Sequence, residues 1–433
     1  MVTLNNATES ASIESDVLVI GGGPAGSTAA ALLAEHGHDV VLLEKSHFPR
    51  YHVGESLMPY CWFALERLGV LDQMDAIGFQ RKHSVQFAGM DGRVSTPFYF
   101  FQHWDHPAAV TWQVERAELD EMLLNNARNK GVRVFEGHRA TSIEMDGDRV
   151  AGVRALGPDG IERSYRSSIT IDATGRDALA QSKLGWRVRD PELNKVAVWA
   201  YYKNGARDPG LDAGSTTIAY LPDKGWFWYI PLRNNRVSVG IVAERDYLFR
   251  NSKDPASIMA EEIPNNAWIA EHLKEAECEG EFWVTGEYSY RAKHCAKNGL
   301  VLAGDAFAFL DPVFSSGVFL ALKSGQLAAD AVHAALEQND VSAGQFADYG
   351  ETLCGGIETM RKLVYAFYNP EFSFKDLVMQ YPESRGALTD RLIGDLFSDS
   401  EALFEALANF SALPAPLPHG RPPLDAVVCA SSN

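Results

Sequence analysis

Gly21-Gly22-Gly23-Pro24-Ala25-Gly26 and the acid Glu44 beyond it are the first residues whose types and spacing point to chemistry. In a G-x-G-x-x-G turn the first glycine, Gly21, permits a tight bend. Gly23 lets backbone approach a pyrophosphate, and Gly26 lets a helix pack closely on a strand. The helix that follows offers free N–H groups and the positive end of its dipole to phosphates. Glu44, at the tip of the next strand, suits the ribose hydroxyls of an adenosine. Two further stretches, Asp172-Ala173-Thr174-Gly175 and Gly299 to Gly304-Asp305, each end an apolar strand far downstream. A flavin dinucleotide is long and needs such a second contact region, so the cofactor read from these residues is FAD. Asp305 suits a ribityl hydroxyl or caps a helix starting at Ala306. Arg116 either reaches the phosphates or is a surface arginine.

The elements that must position these residues follow from the hydrophobic pattern. Asp16 to Ile20 and Asp39 to Leu43 are short apolar runs of the kind buried in parallel sheets, and the small-residue stretch Ser27 to His36 between them is helical. Together they form a βαβ unit. Val132 to Phe135, Ile169 to Asp172 and Leu300 to Ala303 add strands. Between about Lys195 and Glu287 alternating strands take over, the last two joined by Asn234-Asn235, a hairpin signal. From Val318 onward the chain reads as helical, closing in a Pro-rich tail, Leu413 to Pro423. The fold class expected is α/β: a Rossmann-like, three-layer FAD-binding domain (residues 14–80, 108–190 and 287–345) with an inserted antiparallel-sheet substrate domain (81–107 and 191–286) and a helical C-terminal region (346–433).

Composition narrows the classes. The 433 residues carry 57 acidic and 39 basic side chains, a formal net charge of −18. Such a surface repels nucleic acid and anionic membranes. Five scattered cysteines without a C-x-x-C pair fit neither a zinc site nor a disulfide framework, and Cys429 reads as an ordinary thiol. No metal site is expected. The polar first fifteen residues lack the features of a signal peptide and no run reaches membrane-spanning length, so a cytoplasmic protein with a short N-terminal tail is expected.

The glycine turn, Arg50-Tyr-His-Val-Gly54-Glu55-Ser56-Leu57, D-A-T-G-R and A-G-D-A together resemble the FAD superfamily of aromatic hydroxylases, geranylgeranyl reductases and flavin-dependent halogenases, over about residues 14–340. Lys45, Arg50, Glu55, Ser56, Pro312, Gly317 and Val318 join the cofactor set through this resemblance. Three features resemble the halogenase branch. Trp226-Phe-Trp228-Tyr-Ile230-Pro231 matches W-x-W-x-I-P, a motif that in the family lies near the flavin and keeps the organic substrate from it. Read without the family, it is an amphipathic strand with two core tryptophans. Phe309-x-x-Pro312-x-x-Ser315-x-Gly317 matches F-x-x-P-x-x-S-x-G, whose amides at Ser316 and Gly317 would hold halide at a helix start; a proline-punctuated helix cap has the same pattern. Lys82 lies where the family carries its essential lysine, although most lysines are solvated surface residues.

The resemblance implies a halogenase that uses reduced FAD and O2 to make hypohalous acid from chloride or bromide. Lys82 would then pass electrophilic halogen to an electron-rich ring, by hydrogen bonding or as a haloamine. Phe314 stands where tryptophan halogenases have glutamate, which implies a phenol or pyrrole, free or tethered to a carrier protein. His83 and His103 are candidate bases for the ring proton. The aromatic run Phe98 to Trp104 either lines the substrate pocket or packs as an edge strand. With no second nucleotide fingerprint, a separate NADH-dependent flavin reductase is the implied partner. The alternatives are an aromatic hydroxylase, an isoprenoid double-bond reductase, and a non-enzymatic scaffold stabilised by FAD.

Overall fold

A computed structural model describes residues 12–286 and 289–423; Cys429 and most of the expected N-terminal tail lie outside the described residues. Strand Ile13–Ile20 starts three residues before its apolar run. It lies between Val40–Glu44 and Glu162–Asp172, parallel to both. Arg133–Glu136 and Leu300–Leu302 extend this parallel sheet on either side. The helices Pro24–Glu35, Arg116–Asn129 and Ser316–Glu337 cover one face with their apolar sides. A hairpin, Arg139–Asp146 and Arg149–Leu156, joins the long strand Glu162–Asp172 and buries Leu18, Ile20, Val41 and Leu43 from the other side. Parallel strands are apolar throughout because both faces are covered.

The second sheet runs Glu277–Gly286, Lys195–Lys203, Arg236–Glu244, Trp226–Pro231, Thr216–Tyr220, Ser84–Ala88, Phe98–Tyr99. It was expected to be antiparallel throughout, but Thr216–Tyr220 pairs with Ser84–Ala88 in parallel. Asn234 and Asn235, both at φ near +55°, make the tight turn between Trp226–Pro231 and Arg236–Glu244, as a two-residue hairpin demands. Gln80–Lys82 is a third element: it pairs with Thr111–Gln113 in a small ribbon of its own. The expected boundary between residues 80 and 81 falls inside that strand. The C-terminal helices Ala347–Tyr368, Phe374–Gln380, Ser384–Ile393 and Glu401–Ala408 pack on the same large core. Among the described residues no helix is long and apolar enough to cross a membrane.

Candidate active site

The glycine turn sorts its residues by what a side chain would meet. At Gly21, with φ of +105°, a Cβ would lie 2.3 Å from the Ala173 carbonyl oxygen, and at Gly26 one would lie 1.9 Å from the Gly21 oxygen. Neither position accepts any other residue. At Gly23 the nearest atom is Arg50 Nη2, 3.6 Å away, so this backbone faces the open cavity rather than the protein. Helix Pro24–Glu35 begins here with proline at its first turn and no side-chain cap, leaving its first N–H groups for a ligand. Glu44 is buried; its Oε2 accepts the Gly22 N–H at 2.7 Å and its Oε1 the Ser46 N–H at 2.9 Å. Each oxygen keeps a lone pair for a ribose hydroxyl.

Above this turn opens a cavity of about 420 Å³, lined by Gly21, Gly23, Pro24, Ala25, Glu44, Lys45, Arg50, Glu55, Ser56, Arg116, Asp305, Pro312, Gly317 and Val318. Arg116 is not a surface arginine. Its Nε and Nη2 clamp both oxygens of buried Asp120 at 2.9 and 3.0 Å, and its Nη1 donates to the Val53 carbonyl at 2.8 Å. Arg50 shares the same carboxylate at 3.1 Å. Burial alone would raise the Asp120 pKa, but the Arg116 guanidinium more than offsets this and holds the carboxyl below its ordinary value. Lys45 pairs with Asp177 at the half-exposed rim. Glu55 accepts from the Tyr201 hydroxyl and the Gly54 N–H, while burial raises its pKa. Asp305 sits in the short 3-10 turn Gly304–Ala306, where it caps no helix. Burial raises its pKa to about 6, against the pull of Arg176 and Arg116. An open glycine cradle, an uncapped helix start and carboxylates at both ends fit FAD, with Glu44 for the ribose and Asp305 for the ribityl chain.

Strand Trp226–Pro231 forms one wall. Trp226, Trp228 and Ile230 line the cavity, whereas Phe227 and Tyr229 belong to a separate core on the far face, the two-residue alternation of a strand. Pro231, expected near the cofactor, does not line the cavity, because the same alternation turns it away. Gly240, on the neighbouring strand, makes room for the tryptophan: a Cβ there would meet the Trp228 ring at 2.3 Å. Trp226 Nε1 donates to the Tyr368 hydroxyl at 2.9 Å, and that hydroxyl donates to Asp311 Oδ2 at 2.9 Å. Asp311 Oδ1 accepts the Val313 N–H at 3.1 Å, and burial raises the acid to about 6. This chain ties the tryptophan strand to the loop carrying Phe309, Pro312 and Ser315, all on the cavity. Ser315 takes a left-handed conformation, φ +57°, and starts helix Ser316–Glu337. The Ser316 and Gly317 N–H groups therefore lie in the first turn, without an i−4 carbonyl. Gly317 lines the cavity; the Ser316 side chain is fully buried with its hydroxyl unpartnered among the described residues.

Lys82 is 2 % exposed. Its Nζ donates to Ser56 Oγ at 2.8 Å and to the Leu57 carbonyl at 3.2 Å, and lies 5.6 Å from the centre of the Phe100 ring. Burial lowers its pKa to about 7. No carboxylate pairs with it among the described residues. It does not itself line the cavity; Ser56, on which it is bonded, does. Of the aromatic run, Phe98–Tyr99 is an edge strand on Ser84–Val85, and buried Phe100 walls the lysine. His83 and His103 do not line the cavity, and His103 instead pairs with Asp390 of a C-terminal helix at 2.7 Å. Sequence reasoning missed Thr216, Tyr368 and Asp311. Asp311 sits inside the quoted loop motif, and Thr216 is two residues from cavity-lining Ile218 on a strand, but no spacing in the sequence announces Tyr368.

The profile of the FAD binding domain family matches residues 14–340. A tryptophan 2-halogenase of Chondromyces crocatus is 38% identical over 363 residues, 81% of this chain and 67% of that protein. A 1H-pyrrole-2-carbonyl-[peptidyl-carrier protein] brominase of Pseudoalteromonas luteoviolacea is 33% identical over 389 residues, 89% of this chain and 93% of its own. The solved structure of the flavin-dependent brominase Bmp2 superposes with a TM-score of 0.82 at 30% identity, covering 92% of this chain and 98% of that one. These likenesses extend well past the cofactor cradle, through the tryptophan strand and the lysine ribbon, and on their strength the chain belongs to the flavin-dependent halogenases of the FAD binding domain family.

Proposed function

We propose that the protein halogenates an electron-rich aromatic ring, a phenol or a pyrrole, using Lys82 as the residue that delivers the halogen. The observation that carries this reading is the state of Lys82: fully buried, held by one hydroxyl and one carbonyl, and lowered to about 7. A surface lysine stays protonated, and a buried structural lysine has a carboxylate. An amine poised near neutrality without a counter-ion suits a nucleophile.

Bound reduced FAD would supply, with O2, the oxidising equivalent that turns halide into hypohalous acid. Around it the chain's own residues divide the work. Gly23 and the helix start at Pro24 would bind the pyrophosphate, and Glu44 and Asp305 would fix the two sugar-like ends. The first-turn amides of Ser316 and Gly317 would hold chloride or bromide. Trp226 and Trp228 would wall the organic substrate off from the cofactor, so that only a species as small as hypohalous acid moves on to Lys82. Phe367 packs against Trp226, Phe314 and Tyr220, an apolar setting that suits a neutral ring. The carrier-protein substrates named for the pyrrole brominase make a tethered ring the first to try. A separate NADH-dependent flavin reductase, in the same cytoplasm, is the partner this reading requires.

The test is a coupled reaction with a flavin reductase, NADH, FAD, O2 and chloride or bromide, offering a free phenol and a carrier-tethered pyrrole. Wild type yields a product with the halogen isotope pattern in the mass spectrum, and Lys82→Ala lowers its rate by about 10³-fold or more. A product heavier by one oxygen, whatever the halide, would instead make the protein a hydroxylase.

A further inference from the structure

Between the cofactor cavity and Lys82 stand two hydroxyls. Ser56 Oγ and Thr216 Oγ1 are 2.9 Å apart, both residues are buried, and both line the cavity. Ser56 Oγ accepts from Lys82 Nζ. On the other side Gln113 Nε2 donates to Thr216 Oγ1 at 2.8 Å and to the Gly214 carbonyl at 3.0 Å. The Gly214 carbonyl can only accept, so it fixes which end of the Gln113 amide faces Thr216. The hydroxyl protons can then be counted. Two hydroxyls own two protons, and a single hydrogen bond joins them. Neither oxygen has another acceptor among the described residues. With Lys82 as the ammonium donating to Ser56, one O–H is left over whichever way the pair is oriented, and both residues face the cavity. Burying a donor without an acceptor is costly, so this proton marks a place built for something that accepts it.

Resting on the function proposed above, we propose that the Ser56–Thr216 pair is the hand-over point between cavity and lysine, binding the oxygen of hypohalous acid and carrying a proton back to it. The electron count closes. The Lys82 nitrogen lone pair forms an N–X bond to the halogen, the O–X bond breaks, and its electrons stay on the departing oxygen. Nitrogen sheds one proton into Ser56 Oγ, Ser56 passes its own to Thr216, and Thr216 gives its own to that oxygen. One amine and one hypohalous acid become one haloamine and one water. Ser56 and Thr216 thus touch the reacting atoms directly, as the proton path of the step.

The experiment follows where the oxidised halogen goes. Each turnover mixture contains the aromatic substrate and a soluble 1,3-dione that traps escaping hypohalous acid, and both halogenated products are quantified. In Thr216→Val, which keeps the side-chain shape, FAD binding by fluorescence titration and total captured halogen stay near wild type. The fraction reaching the aromatic ring falls about tenfold, the scale of one hydrogen bond, and Thr216→Ser restores it. In the cofactor-free protein, Ser56→Ala lowers the Lys82 pKa below the wild-type value, read by pH-dependent methylation of the amine with NMR detection, because the ammonium loses an acceptor. An unchanged partition in Thr216→Val overturns the hand-over, as does a loss of total captured halogen alongside product, which would place the pair on the halide side. Wild type that yields no captured halogen in either trap sinks the halogenase reading itself, a different outcome.

Discussion

At the dinucleotide end of the cavity every charge has an opposite or a dipole. Arg116 and Arg50 share Asp120, Lys45 meets Asp177, and Glu44 receives two amide N–H groups. Behind the other end, beyond Ser56, Lys82 has a hydroxyl, a carbonyl and an aromatic ring, and no carboxylate partner among the described residues. The first arrangement offers paired charges and dipoles to a ligand that is itself charged. The second makes ionisation expensive, so the same kind of basic side chain can stand as a free amine near neutral pH. Burial thus acts in two ways around one cavity: it pairs charge where a cofactor must be gripped, and removes it at the lysine behind the wall.

Three experiments break or sharpen that contrast. The largest effect belongs to pH. Burial lowers Lys82 from 10.5 to about 7, so between those values the unfolded chain carries a proton that the folded chain lacks. Stability therefore rises with pH across that window, and Lys82→Met, measured by chemical denaturation, flattens the slope. The single-turnover rate of ring halogenation rises about tenfold per pH unit up to about pH 7 and then levels, as expected for a free-amine nucleophile. A rate that falls above pH 7 would assign the work to the ammonium. Asp305 and Asp311, both raised to about 6, titrate below that window. Next in size is Glu44→Ala, which removes the acceptor of two buried N–H groups and of the ribose. It weakens FAD about 10- to 100-fold by fluorescence titration, in keeping with hydrogen bonds to a charged group, while leaving the Lys82 pKa untouched. The smallest is Tyr368→Phe, which leaves Asp311 and the Trp226 N–H each short of a partner. It costs about 1–3 kcal/mol in denaturant unfolding and leaves FAD affinity within about twofold, because Tyr368 touches the motif loop and not the cradle.

The charged end was legible in the sequence and the neutral end was not. Gly21 to Gly26, the flanking strands and Glu44 are neighbours in the chain, so local rules for turns, helix starts and parallel strands suffice to assemble them. Trp226, Trp228 and Ile230 were readable by two-residue alternation, which also explains why Pro231 turns away. The setting of Lys82 comes from Ser56, Leu57, Phe100, Gln113 and Thr216, contributed by separate segments. Its strand, Gln80–Lys82, is only three residues long, too short for periodicity to register. The parallel pairing of Ser84–Ala88 with Thr216–Tyr220 is what brings Thr216 to that end of the cavity, and pairing direction leaves no mark in a five-residue pattern. Arg116 was readable as a candidate for the phosphates but not as buried, since Asp120, four residues on, only becomes its partner once the helix forms.

Gly240 sets a limit on how this enzyme can be re-engineered. It lies behind the tryptophan wall rather than on the cavity, so a library built from residues in view of the substrate would pass it over. Yet any side chain there drives straight into the Trp228 indole. A single methyl group would evict the indole and reshape the barrier from behind. Variants at Gly240 therefore belong in any search for altered leakage or altered reach, alongside the residues that face the ring.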